Sequence, residues 1–150
     1  MESTTLSLIS QSLPETFPFY GMGDVSLVKN PKSTSPISAL VEGKDGVSFK
    51  LLGEPAVLLV VLFDKNLDSS MYSELGNILA SKLCTGLSEE GEGDLMITPP
   101  YPLKSEQLKR LASVGLPFIH RSYEHVNQDK TVLIEALILP ITAEGQIGHA

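Results

Sequence analysis

An α+β fold, a mostly antiparallel sheet of about six strands with helices packed against it, is predicted by three observations. Residues 37–41, 47–52 and 56–63 are short β-rich runs divided by Gly43-Lys44-Asp45-Gly46 and Gly53-Glu54-Pro55, the pattern of hairpin-linked strands. Residues 118–125 and 131–140 repeat it, joined across Asn127-Gln128-Asp129-Lys130. Between the two groups, residues 67–88 put Met71, Tyr72, Leu75, Leu79, Leu83 and Leu87 on one half of a helical wheel, at about 100° per residue. Hairpins that share a core with separate helices make a sheet covered by helices.

Taken in order, residues 6–13 predict a short helix with Leu6, Ile9 and Leu13 on one side, ended by Pro14. The N-terminal part, residues 1–36, is otherwise irregular: only 24–28 reads as a strand, and Asn30-Pro31-Lys32-Ser33-Thr34-Ser35-Pro36 reads as a loop. The run 37–41 reads as the next strand. Residues 56–63 are apolar in succession rather than in alternation, which predicts a central strand buried on both faces. Asp64-Lys65-Asn66 turns the chain, and Asp68 or Ser69 caps the helix by accepting from its free first-turn amides. Residues 89–94 form an acidic loop whose Gly91-Glu92-Gly93 is too short for a phosphate-binding fingerprint. Residues 95–98 make a short strand closed by Pro99-Pro100. Ser105 then caps a helix reaching Val114, stopped by Gly115 and Pro117. Residues 143–150 read as a flexible tail.

Composition narrows the function. The 150 residues, 42% of them hydrophobic, suit one domain, 1–150, with one core. A formal net charge of −7 without a Lys/Arg cluster argues against nucleic acid and anionic membrane and favours a protein partner. The single cysteine, Cys84, excludes an internal disulfide and reads as a structural thiol. With no signal-peptide pattern at Met1-Glu2-Ser3-Thr4-Thr5 and no long apolar run, a cytoplasmic address is expected. No metal site is expected, because Asp68, Glu74, Glu89 and Glu90 lack the alternation of a calcium loop. His120 and His125, five apart on a strand, face opposite ways and read as surface or edge residues. No serine sits in a hydrolase motif.

The polar half of the long helix holds the chemistry. It carries Ser70, Ser73, Glu74, Asn77, Ser81 and Ser88. Glu74 and Asn77 are three apart and so are neighbours on the exposed face, and the serines around them are too short to block an approaching surface. With Pro100 these residues form the pattern S-x3-E-x2-N-x22-P. This stretch, Met71 to Leu83 followed by Ile97-Thr98-Pro99-Pro100, resembles the CheC/CheX/FliY family of chemotaxis phosphatases, whose signature is [D/S]-x3-E-x2-N-x22-P. The resemblance is strongest over residues 55–103. One copy of E-x2-N makes this a single-site chain like CheX, unlike CheC with two, and the helix that the CheX type inserts before the signature helix is missing.

The resemblance implies a CheC-like fold and hydrolysis of the aspartyl phosphate of a CheY-like receiver domain. Asn77 would orient the attacking water and Glu74 would bind the receiver's active-site lysine, making these two the catalytic pair. Ser70, Ser73 and Ser81 would join Glu74 in partner binding, while Ser70 and Pro100 would be structural. Mg2+ would come with the phosphorylated receiver, and no cofactor would be bound by this chain. The CheX type dimerises, which implies a homodimer. A non-catalytic receiver-binding adaptor, or a structural module related to flagellar switch components, is the alternative.

Overall fold

The computed structural model describes residues 9–19, 23–28, 36–53, 56–90, 95–115, 117–127, 129–142 and 146. In chain order these form α1 (described over 9–12), β1 (Thr16–Pro18), β2 (Asp24–Leu27), α2 (Ile37–Leu40), β3 (Lys44–Leu52) and β4 (Val57–Asp64). There follow α3 (Ser69–Glu90), β5 (Met96–Ile97), β6 (Tyr101–Leu103), α4 (Ser105–Ala112), β7 (Ile119–Asn127) and β8 (Lys130–Pro140).

The expected α+β class is borne out, with eight antiparallel strands among the described residues rather than about six. Their order is β1-β2-β7-β8-β4-β3-β5, and β6 also pairs with β3. The apolar run became β4, which lies between β8 and β3. Its Val57 to Phe63 are all buried. Successive side chains point to opposite faces, so Val57, Leu59, Val61 and Phe63 join one cluster with Tyr72, Leu75, Leu79, Leu83 and Leu87 of α3. Leu58, Val60 and Leu62 join a second cluster with Leu108 and Leu111 of α4. Each fully buried side chain of this size contributes about 1.5–3 kcal/mol of transfer free energy, so β4 holds both helical layers.

Three expectations are corrected. Residues 37–41 form not a strand but the single turn α2, with Val41 as its C-cap. Ile37 and Val41, four apart, lie on one side of that turn and are buried with Leu108. Gly43, at φ +72, then turns the chain into β3. The two unforeseen strands, β1 and β6, are three residues each, contain Pro18 and Pro102, and pair along one side only, as proline-bearing edge strands do. The cap of α4 is Lys104 rather than Ser105: its backbone N–H donates to Gln107 Oε1 at 2.8 Å. For α3 the cap is Asp68, whose Oδ1 accepts from the Ser70 and Met71 amides at 2.9 and 3.4 Å. The Gly91-Glu92-Gly93 turn and, apart from Gln146, the 143–150 tail lie outside the described residues.

Candidate functional site

What orients the signature is the seating of α3. Gly76, between Glu74 and Asn77, lies directly on β3: a Cβ there would stand 2.7 Å from the Phe49 ring and 3.3 Å from Val47 Cγ1. Ten residues on, Gly86 allows the same closeness to Ser12, whose carbonyl oxygen would be 2.9 Å from an added Cβ. Two glycines on the buried side thus let the helix lie flat over its length. Its opposite side then faces outward, and Ser70, Glu74, Asn77 and Ser81 are all exposed there, with Ser73 half-buried beside them. Neither Glu74 nor Asn77 makes a side-chain hydrogen bond or ion pair with a described residue. A carboxylate and a carboxamide, about 5–6 Å apart at their Cβ atoms, are thereby presented on a rigid support.

The structure brings Ser70 and Pro100 together. Both line a notch of about 220 Å3 with Ser73, Phe63, Asp45 and Lys104. Pro100 is fixed because the chain on either side of it is paired to β3: β5 at Leu51 and Leu52, β6 at Gly46 to Ser48. Between them Thr98 donates its amide to the Lys50 carbonyl at 3.0 Å and accepts the Lys50 amide on its hydroxyl at 2.9 Å. The prolines therefore interrupt a single edge ladder at a point where no amide is needed. Glu74 and Asn77 lie farther along the helix, outside the notch. Asp45 and Lys104, 3.3 Å apart as an ion pair, were not singled out by the sequence, since the notch joins segments more than fifty residues apart.

His120, His125, Ser122, Glu135 and Cys84 make their contacts within the fold. His120 and His125 do face opposite ways, but neither is a surface residue. His120 is half-buried and its Nε2 bonds Glu135 Oε2, while His125 is fully buried, edge-on to Phe19 at 5.4 Å. The reason is that β2 pairs with β7 and so removes it from the edge. Ser122 donates to the same Glu135 oxygen and lies 3.4 Å from His120 Nε2. A nucleophilic triad needs the serine and the carboxylate on different ring nitrogens, so this arrangement is a hydrogen-bonded brace. Burial would raise the Glu135 carboxyl, but the hydrogen bonds from His120 and Ser122 and the charges of His120 and Lys44 hold it below the usual carboxylate range. Cys84 is half-buried, with Sγ 3.5 Å from the Leu95 carbonyl oxygen. Among the described residues, no three His, Cys, Asp or Glu side chains are grouped to hold a metal ion. No described helix is long and apolar enough to cross a membrane.

The fold and this helix define the class of protein: an α+β fold that presents a carboxylate and a carboxamide, Glu74 and Asn77, on one exposed helical face. The model of the CheC-like family matches residues 68–101, from the capping Asp68 to just beyond Pro100, so the whole S-x3-E-x2-N-x22-P pattern lies within the matched segment. Among solved structures, a chain in the CheX–CheY–BeF3–Mg2+ complex from Borrelia burgdorferi is similar over 89% of this chain and 93% of that one, at 18% identity and a TM-score of 0.48. Comparison with curated proteins finds no match.

Proposed function

We propose that this protein is a phosphatase of the aspartyl phosphate on a CheY-like receiver domain, acting in the cytoplasm to end a chemotaxis or related two-component signal. The observation that carries the reading is the outward, unencumbered pairing of Glu74 and Asn77 on a helix whose full S-x3-E-x2-N-x22-P pattern lies within the CheC-like match.

Hydrolysis of an acyl phosphate is limited by alignment of water with the phosphorus and by stabilisation of charge on the transferring group. The Asn77 carboxamide offers a donor and an acceptor, so it can hold a water in line without needing to be a strong base. A carboxylate beside a phosphoryl group would be repelled. Glu74 therefore serves docking, pairing with the receiver's lysine so that Asn77 enters the receiver's site. Ser70, Ser73 and Ser81 keep the helix surface low enough for that approach. The receiver supplies its own Mg2+, and the residues here need bind none.

The test is the rate of phosphate loss from a Mg2+-loaded, phosphorylated CheY-like receiver. The wild-type protein accelerates it, Asn77→Ala removes the acceleration by about 10²-fold while still binding, and Glu74→Ala loses it through weaker binding. A receiver that is bound but whose phosphoryl lifetime is unchanged would leave an adaptor in place of an enzyme.

A further inference from the structure

On the sheet face opposite α3, between α4, β6 and the end of β8, lies a groove of about 770 Å3. It shares no residue with the Glu74–Asn77 face and plays no part in the proposed hydrolysis. Its volume falls within the about 300–1,000 Å3 typical of small-molecule sites. The walls are apolar: Leu58, Leu103, Leu111, Val114 and Ile141 line it, and Tyr101, 61% exposed, stands over it. Two of its residues are exposed cations, Lys50 on β3 and Arg110 on α4. Neither is in an ion pair with a described residue, although Lys44 and Lys104 both are. In a chain of net charge −7, an apolar hollow carrying two unneutralised cations and no described carboxylate is complementary to one ligand chemistry.

We propose that this groove binds a soluble amphiphilic anion, an apolar chain or ring system with a carboxylate or phosphate head. The apolar body fills the space above Leu58 and Leu111, where it covers surface otherwise left to water. The head group meets Lys50 and Arg110, and the Arg110 guanidinium can pair both oxygens of a planar carboxylate. Pro99 and Pro100 line the same groove, and Pro100 also lines the notch beside Ser70, so an occupied groove abuts the segment that carries the last signature residue. This site stands independently of the receiver reading.

The experiment is a titration of the full chain, followed by methyl and amide NMR and by calorimetry, with sodium decanoate and decyl phosphate below their micelle concentrations. 1-Decanol and decyltrimethylammonium serve as uncharged and cationic probes, and phosphatidylglycerol vesicles as a bilayer source of the same head-group chemistry. Saturable one-to-one binding of the two anions is expected, with shifts confined to Leu58, Leu103, Leu111, Val114 and Ile141 and their neighbours. Decanol should bind about tenfold more weakly, and Lys50→Glu combined with Arg110→Glu, which replaces attraction of the head group by repulsion, should bring decanoate to or below the decanol level. Because both cations are exposed, the double variant should keep the wild-type melting temperature. The proposal is overturned if no probe saturates, if decanol or the cationic probe matches decanoate, if the double variant binds decanoate unchanged, or if only vesicles bind.

Discussion

Glu135 accepts from His120 and Ser122 on one oxygen, on the α4 face of the sheet beside Leu62. Its carboxyl is held below the ordinary range in the folded state, so the unfolded chain takes up the proton first as the solution is acidified. The stability that this carboxylate contributes is thus present above the ordinary carboxylate range. It declines as pH falls through that range and is gone below the lowered folded value. Thermal unfolding of the wild type and of Glu135→Gln is therefore expected to differ most above the ordinary carboxylate range and to converge as the pH falls through that range and below it. Parallel curves at every pH would mean that the brace contributes no charge-dependent stability. Glu74 and Asn77 are the reverse case at the same scale: exposed and free of described partners, they were legible in the sequence because a long-spaced pattern of residue types needs no tertiary information.

Among the elements, α3 depends on a contact that no local pattern reveals. In an isolated helix Gly76→Ala would be favourable by about 1 kcal/mol. Here the new methyl would sit 2.7 Å from the buried Phe49 ring, and the helix or the ring must move. Overpacking of this kind costs about 1–3 kcal/mol, so the urea midpoint of Gly76→Ala is expected to fall. Combining it with Phe49→Leu should recover part of the loss relative to Phe49→Leu alone, whereas simple additivity of the two would remove the contact as the cause. Elements with their own periodicity or an uninterrupted apolar run, such as α3 and β4, were readable in advance. Residues 37–41 were not, because an apolar-rich five-residue run between Pro36 and Gly43 suits one helical turn as well as a strand, and packing against Leu108 decides. The edge strands β1 and β6 are too short and proline-bearing to alternate, and the pairing of β2 with β7, which takes His125 off the edge, joins segments about a hundred residues apart that no local pattern connects.

Across the whole molecule, both layers rest on one strand. The α3 layer packs on Leu59 and its odd-numbered companions, the α4 layer on Val60 and the even-numbered ones, and adjacent residues of β4 thus anchor opposite sides of the sheet. If the layers were separable, a cavity on one face would loosen that face alone. Sharing β4 makes loss of either packing withdraw support from the strand on which the other depends, so unfolding should remain a single transition. Leu59→Ala is expected to lower stability by about 2–5 kcal/mol, and Val60→Ala, which deletes less side chain, by a smaller amount. In each variant the denaturant curves from far-ultraviolet circular dichroism and from tyrosine fluorescence should coincide. Tyr72 and Tyr123 are buried on the α3 face and Tyr101 lines the α4 groove, so restricting the fluorescence to one face with Tyr→Phe variants tells which layer reports. Separate midpoints for the two faces in Val60→Ala would show that the signature helix can stay folded while the α4 layer opens, and would make β4 a partition between two units rather than the common support of one.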